Sequence, residues 1–244
     1  MLQQNTRHLR PAAIFLSLAS ILLWTCAASA VGLVGSRHDL SSGMGSAYKH
    51  GAPYIYNTYS DPCVYCHTPH STPTPTDLYW NRPYSTAFYT LYSSPTLKSR
   101  PSQPDSSSSS ALCLSCHDGT IAVDSVITKP DTGYQAATRH RRMSKDFTAD
   151  SCGACHFESG IASPEVRRAF LGTDLSKNHP INMFYDNVVN PQLANAAVVE
   201  SAGLKLYNGI VQCGTCHNPH DPTYGTFLRR PNSQSGLCLT CHIK

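Results

Sequence analysis

The sequence predicts a mostly irregular chain in which short α-helices and one small β-hairpin are the regular elements. Only 41% of the 244 residues are hydrophobic, while 17 prolines, 15 glycines and many serines and threonines interrupt any long periodic stretch. One short cysteine motif also recurs along the chain, and each copy spans about one helical turn. Because a chain of this length normally buries an aliphatic core of its own, we expect another group to supply much of the buried apolar surface.

The recurring motif is Cys-x-x-Cys-His, the attachment signature of a c-type haem. Two thiols one helical turn apart can reach the two vinyl groups of a porphyrin, and the histidine that follows then lies beneath the iron. Zinc knuckles and redox disulfides also contain Cys-x-x-Cys, but neither needs a histidine at the next position in every copy. The copies are Cys63, Cys66 and His67; Cys113, Cys116 and His117; Cys152, Cys155 and His156; Cys213, Cys216 and His217; and Cys238, Cys241 and His242.

These motifs predict five covalently bound haem c groups, numbered here as haems 1 to 5 in motif order. The fold class is therefore a haem-cored multihaem cytochrome c, with its short helices at the motifs. Since so little apolar surface belongs to the polypeptide itself, we expect haem attachment to be coupled to folding.

The first thirty residues have the pattern of a secretory signal peptide. Arg7 and Arg10 form a basic region, residues 12–28 are apolar, and the small residues ending at Ala30 are typical of a cleavage site. We therefore predict a signal peptide over residues 1–30 and an exported mature chain.

The mature chain, residues 31–244, is predicted to be a single multihaem cytochrome c domain. Ten of the eleven cysteines lie in the motifs, and the last, Cys26, lies in the leader. A lipoprotein anchored through Cys26 is the alternative, although Trp24 and Thr25 are bulky for such a site. No later stretch is long and apolar enough to cross a bilayer, so we expect no transmembrane anchor and a location in the periplasm or at the cell surface.

The charge balance argues against a nucleic-acid partner. Loss of Arg7 and Arg10 with the leader leaves 17 basic against 15 acidic side chains. Each oxidised bis-histidine haem adds about one net negative charge through its propionates, which makes the holoprotein about −3. No basic patch remains for nucleic acid.

Five histidines outside the motifs are candidates for the second axial ligand of each iron. The distal candidates are His38, His70, His140, His179 and His220. His50 is predicted to lie on the surface, and Met143 is an alternative to His140 that would raise the potential of its haem. His179 precedes a proline and is therefore extended.

His70 and His220 each follow a motif histidine by three residues, with a proline between. Three residues span at most about 10 Å, which is too short to pass around a macrocycle. We therefore expect each to ligate a neighbouring haem. His38 lies on a polar arm near the mature N-terminus. It is predicted either to cross to the next subunit or to fold back onto a haem of its own chain.

Two local patterns predict regular structure. Residues 204–212, with Asn208 and Gly209 at their centre, are typical of a short hairpin with a type I′ turn. Residues 111–117 around the second motif predict a short helix that stops at Gly119.

Several longer segments together resemble the tetrahaem subunits of extracellular cytochrome filaments, a group of exported multihaem c-type cytochromes. They are His38-Asp-Leu40, Cys63-Val-Tyr-Cys-His-Thr-Pro-His70, Trp80-Asn-Arg82, Cys113-Leu-Ser-Cys-His-Asp-Gly119, Asn178-His-Pro180, Val211-Gln-Cys-Gly-Thr-Cys-His-Asn-Pro-His220, Phe227-Leu-Arg229 and Leu237-Cys-Leu-Thr-Cys-His242. The resemblance implies closely stacked bis-histidine haems, a continuous electron path and little regular secondary structure. The third motif is extra to that family and lies in a predicted inserted segment, 132–165, which either extends the electron path or caps it.

Electron transfer is the predicted function, and the protein is expected to be an electron carrier rather than an enzyme. Its expected partners are redox proteins or extracellular electron acceptors, with head-to-tail association into a filament as a further prediction. A reductase of a small oxyanion such as nitrite is the alternative, and it would need an open iron with acid–base groups above it. The mature chain has six histidines outside the motifs and five distal positions to fill. Every iron can therefore have a second histidine, and none must be open to a substrate. A membrane quinol-oxidising cytochrome would need an anchor helix.

Overall fold

The computed structural model describes residues 32–41, 60–68, 80–123, 125–129, 142–143 and 169–243. The chain divides into two units, 1–31 and 32–244, and every described residue lies in the second. Several predictions fall outside the described residues: the signal peptide with Cys26, the third motif, His50, His70 and His140. Of the predicted inserted segment, only Arg142 and Met143 are described.

The regular elements of the described residues are short, as predicted. The α-helices are α1 (Ser109–His117), α2 (Ala196–Ser201), α3 (Cys213–Cys216) and α4 (Cys238–Cys241), and 3-10 helices cover Pro62–Tyr65 and Ser233–Ser235. Helices α1, α3 and α4 coincide with haem motifs. The first motif begins instead in a 3-10 helix, where Asp61 accepts a hydrogen bond from the Cys63 N–H.

Helix α1 shows how a motif helix begins and ends. The Ser108 side chain caps its N-terminus by accepting from the Ser110 N–H. The helix ends at His117, and Gly119 follows with a φ of +77°, a conformation that favours glycine. A side chain at Gly119 would also collide with the Met143 carbonyl and the Phe170 ring. The helix therefore ends just before Gly119, as the sequence predicts.

The predicted turn at Asn208 and Gly209 is present, but the predicted hairpin is only one residue pair long. Both residues have positive φ, 52° and 76°, as a type I′ turn requires. Tyr207 and Ile210 exchange two backbone hydrogen bonds of 3.0 Å. The backbone before Tyr207 is bonded elsewhere: Leu204 donates to Val199, Lys205 to Thr215 and Leu206 to the Glu200 carboxylate.

A two-stranded antiparallel sheet forms instead with a segment that the sequence did not indicate. Strand β1 (Met183–Phe184) pairs with β2 (Ile210–Val211), with Met183 opposite Val211 and Phe184 opposite Ile210. The type I′ turn therefore directs β2 toward β1, and β2 then leads into α3 and the fourth motif.

Two small apolar clusters lie against the motifs. The larger contains Tyr185, Val199, Leu204, Leu206, Val211 and Leu237, with Cys216 and Cys241 packed against it. The smaller contains Tyr89, Leu114 and Leu175, and Leu114 lies between the two cysteines of the second motif. The apolar packing of the described residues is thus gathered where haems would be attached.

Candidate haem sites

The four described motifs lie beside one another at their cysteines. Helices α1 and α3 pack together, and Cys113 lies within hydrogen-bonding reach of Cys213. The thiol of Cys66 is close enough to Cys116 to interact with it electrostatically, and Cys216 interacts in the same way with the fifth motif. Motifs one, two, four and five therefore form a connected series.

Burial makes the thiols of Cys66 and Cys216 poor nucleophiles in the folded chain. It raises the pKa of Cys66 to about 12 and that of Cys216 to about 11. The hydrogen bond with Cys113 instead lowers the pKa of Cys213. Because the thiolate is the reactive form of cysteine, the motif thiols differ in reactivity in this packed arrangement. The coupling of haem attachment to folding stays a prediction.

Three motif histidines each face a histidine from elsewhere in the chain. The ring centroids of His67 and His220 are 6.0 Å apart, with the ring planes at 15°. Those of His117 and His38 are 6.1 Å apart at 70°. Those of His242 and His179 are 6.4 Å apart at 68°.

This spacing fits an iron held between two imidazoles. An imidazole nitrogen binds a first-row metal at about 2 Å, so two axial rings on one iron have centroids roughly 6 Å apart. The three pairs thus have the separation that bis-histidine haem requires. Among the described residues, no group of three or more His, Cys, Asp or Glu side chains is arranged to hold a metal ion by itself.

Three haem-site histidines, two of them from these pairs, have one ring nitrogen bonded to a backbone carbonyl. The Nδ1 of His117 lies 2.7 Å from the Ala169 carbonyl, that of His217 lies 2.9 Å from Thr226, and that of His179 lies 2.9 Å from Pro180. A carbonyl only accepts, so Nδ1 carries the proton and Nε2 is left with a lone pair. This is the tautomer that an iron ligand needs, and the carbonyl also fixes the ring orientation.

His38 is held as a neutral, buried imidazole. Burial, and then the nearby His117, lower the pKa of His38 to about 4. Phe227 stacks on the ring at a centroid distance of 4.2 Å and an angle of 8°. The environment therefore favours the form of histidine that binds a metal.

The arm that carries His38 packs against its own chain. Gly32 lies so close to the His220 backbone that a side chain at residue 32 would collide with it. The buried Asp39 carboxylate accepts from the Gly35 N–H at 2.7 Å and from the Ser41 N–H at 3.1 Å, which closes the loop. Within its own chain His38 therefore lies beside His117, and its crossing to the next subunit stays a prediction.

After the first motif and after the fourth, the chain returns along the motif histidine in the same way. His67 forms an antiparallel bridge with Trp80, and Asn81 donates its N–H to the Cys66 carbonyl at 2.9 Å. His217 forms the equivalent bridge with Leu228, and Arg229 donates to the Cys216 carbonyl at 2.8 Å. Residues 80–82 are named here the first return, and residues 228–229 the second return.

Reasoning from haem chemistry alone missed the supporting residues Asp39, Asn81, Arg82 and Asp118. Each is almost fully buried, and each bonds to backbone or hydroxyl groups. In the sequence they are ordinary polar residues, and the one signal was their place in the segments that resemble other cytochromes.

Comparison with known families defines the class of protein. Residues 208–244 match the family model of the doubled CXXCH motif. Paired motifs of this kind bind c-type haem covalently, so the protein is a multihaem c-type cytochrome, a class that transfers electrons.

Residues 32–166 match the family model of the outer membrane cytochrome MtrC/MtrF-like proteins, domains II/IV. The chain belongs to this family. The predicted class of multihaem cytochrome is therefore confirmed. No curated protein matches the chain. The resemblance to tetrahaem filament subunits stays a prediction. Within the described residues, none of the helices has both the length and the apolar character to cross a membrane.

Proposed function

We propose that the protein conducts electrons through five bis-histidine haem c groups. The observation that carries this proposal is the separation of 6.0 to 6.4 Å between three motif histidines and three histidines from distant parts of the chain. In this arrangement His67 and His220 hold haem 1, His117 and His38 hold haem 2, and His242 and His179 hold haem 5.

The remaining ligands follow from the similarity of the two returns. His220 comes three residues after the fourth motif histidine and faces His67 of the first motif. His70 stands at the same spacing after the first motif histidine. A reciprocal exchange, in which His70 ligates haem 4 opposite His217, satisfies both irons and holds haems 1 and 4 together. His140 is then the ligand that remains for His156 on haem 3.

The positions of the cysteines support an electron path along the haems. Thioether bonds join cysteines to the vinyl edge of the porphyrin, so neighbouring cysteines bring neighbouring porphyrin edges together. A hydrogen bond links Cys113 to Cys213, and electrostatic interactions link Cys66 to Cys116 and Cys216 to Cys241. The path supported is haem 1 to haem 2 to haem 4 to haem 5. When bound, each haem supplies a one-electron couple between ferric and ferrous iron.

The chain's own residues fix the tautomer of three haem-site histidines. Backbone carbonyls hold the Nδ1 protons of His117, His179 and His217, so each Nε2 keeps the lone pair with which it would bind an iron. With two histidines on an iron, no position would be open to a substrate. The arrangement favours electron transfer over the reductase alternative.

The proposed place of action is outside the cytoplasm. The signal peptide pattern supports export, and the family to which the chain belongs is named for outer membrane cytochromes. Electrons would pass between redox partner proteins, or to extracellular acceptors, in the periplasm or at the cell surface. Head-to-tail assembly into a filament, as in the proteins that the sequence resembles, is part of the proposal, and a discrete periplasmic carrier is its alternative.

The orientations of the ligand rings give the proposal a spectroscopic test. Near-parallel rings split the iron d orbitals more than near-perpendicular rings do. Haem 1, with its rings at 15°, should give a rhombic low-spin EPR signal, whereas haems 2 and 5, at 70° and 68°, should give large-gmax signals. Intact-mass measurement should show five haem additions. Fewer additions, or a high-spin ferric signal in the native protein, would favour the reductase alternative.

The substitution His220→Ala tests the exchanged ligands. It should open the iron of haem 1, so that a rhombic signal is replaced by one high-spin ferric haem. That haem should show nuclear Overhauser contacts to Trp80, whose ring lies 6.1 Å from the His67 ring. His50→Ala, at a position predicted to lie on the surface, is the control and should leave all haems low-spin. An open haem that contacts Leu228 instead, the residue bridged to His217, would show that His220 serves the haem beside it.

A further inference from the structure

Arg82 is a buried cation whose hydrogen bonds to the described part of the chain are made to neutral groups. Its side chain is 1% exposed. Nε donates to the Ser115 hydroxyl at 3.3 Å and Nη2 to the Ser115 carbonyl at 3.1 Å. Nη2 also donates to the Ala122 carbonyl at 2.7 Å, and Nη1 to the Val123 carbonyl. The acceptors are three backbone carbonyls and one hydroxyl.

Among the described residues, the charge of this guanidinium is therefore not neutralised by a hydrogen-bond partner. Four of the five N–H groups of an arginine are used in these bonds. A haem propionate could accept from one remaining N–H, but it could not form the two-pronged pair typical of arginine and carboxylate. An arginine keeps its charge throughout the physiological pH range.

Arg82 lies between the attachment sites of two haems. It follows Asn81, whose N–H bonds to the Cys66 carbonyl, and it holds Ser115, which directly precedes Cys116. Its guanidinium is therefore held beside both attachment sites.

Acidic side chains lie near the same two motifs. Asp61 accepts from the Cys63 N–H, and Asp118 directly follows His117. Asp118 is buried and accepts from the Tyr89 hydroxyl at 2.7 Å. A guanidinium and a carboxyl group are thus both held beside the second motif.

We infer that Arg82 is a positioned cation that raises the reduction potentials of haems 1 and 2. Ferric haem carries one more positive charge than ferrous haem, so a nearby cation favours the reduced state, and a low-dielectric interior strengthens that effect. This inference rests on the proposed attachment of haems at the first two motifs.

The test compares neutral and charged replacements in the fully haem-loaded protein. R82Q and R82M remove the charge, R82K keeps it, and R100Q removes an equal charge from an exposed position. An EPR-monitored potentiometric titration follows the rhombic signal of haem 1, identified by its loss in H220A, and the large-gmax signals. The neutral variants should lower the reduction equilibrium constants of haems 1 and 2 about tenfold, which is about 59 mV for a one-electron couple. R82K and R100Q should leave the reduction potentials of both haems near those of the wild type. D118N should raise the reduction potential of haem 2.

The outcomes separate this inference from the proposed function. If R82K shifts the potentials as far as R82Q does, Arg82 acts through its hydrogen bonds and the inference is overturned. It is also overturned if R82Q and R100Q shift the reduction potential of haem 1 equally. A third contrary result is that neither neutral variant assembles all its haems. In each of these cases the wild-type haem count and low-spin spectra still support electron transfer. Absence of haems 1 and 2 from the wild-type protein, seen by mass before any titration, would instead contradict the proposed function.

Discussion

The first and second returns meet the same backbone requirement but are supported differently. In each, a chain segment runs antiparallel to the motif histidine and donates an N–H to the carbonyl of the second motif cysteine. In the first, Asn81 is 0% exposed and Arg82 is 1% exposed. In the second, the Arg229 side chain is half-buried and donates to the Gly214 carbonyl of its own motif.

Polar groups bind the first return to a distant segment. The Asn81 side chain donates to the carbonyls of Val64 and Thr128, and its oxygen accepts from the Thr128 N–H. Arg82 binds the carbonyls of residues 122 and 123. These bonds join the first motif, the second motif and residues 122–128 through hydrogen bonds that water cannot easily replace.

The region of the fourth motif combines polar bonds, in which Gln212 accepts from Ser108 and Ser110, with contacts to an apolar cluster. Cys216 packs against the cluster that includes Val199 and Leu204, and Val199 of α2 is fully buried. In both regions an N–H group of the return donates to the carbonyl of a motif cysteine, but the surroundings of that hydrogen bond differ. The backbone next to each haem site is thus the same in both regions, whereas its support depends on what each region packs against.

The largest effect in this comparison is expected for Asn81→Ala. The change removes three hydrogen bonds and leaves the Val64 carbonyl and both backbone groups of Thr128 without this partner. Buried polar groups left unpaired cost about 1 to 3 kcal/mol each, so we expect the free energy of unfolding to fall by about 3 kcal/mol. Guanidinium unfolding of the holoprotein, followed by far-UV circular dichroism, measures this. A loss below about 1 kcal/mol would show that polar bonds do not support the first return.

A smaller effect is expected for Val199→Ala in the apolar support of the fourth motif. Removing two methyl groups from a fully buried side chain leaves a cavity, and we expect a loss of about 2 kcal/mol. The neighbouring Val198 on the same helix is 58% exposed, so Val198→Ala should change stability by less than about 0.5 kcal/mol. Equal effects of the two substitutions would mean that the cluster does not support this region.

The comparison also shows what could be predicted from the sequence. The motifs, the helix stop at Gly119 and the turn at Asn208 and Gly209 depend on neighbouring residues, and they were predicted. The β1–β2 pair and the role of Asn81 depend on contacts between residues far apart, as with Asn81 and Thr128, 47 positions away. Polar residues of this kind have no periodic pattern, so the sequence did not distinguish them from surface residues.

Helix α2 is an intermediate case. Asn195 caps it by accepting from the Ala197 N–H at 2.9 Å, which is a typical helix start. The helix has only six residues and presents one buried side chain, Val199, so it has too little apolar periodicity to be recognised. Its stability comes from the cluster it packs against rather than from its own sequence.

The smallest effect is expected for Arg229→Ala, the counterpart of Asn81→Ala in the second return. The backbone bond from residue 229 to the Cys216 carbonyl is kept, and one side-chain bond, from Nε to the Gly214 carbonyl at 2.7 Å, is lost. Because this side chain is half-buried, water can replace the lost donor, and we expect stability to fall by about 1 kcal/mol. Arg100→Ala, at an exposed position, controls for the loss of one positive charge and should change stability by less than about 0.5 kcal/mol. The same guanidinium titration measures both. If Arg229→Ala destabilised the protein as much as Asn81→Ala, the second return would also depend on its polar side chain, and the contrast between polar and apolar support would be wrong.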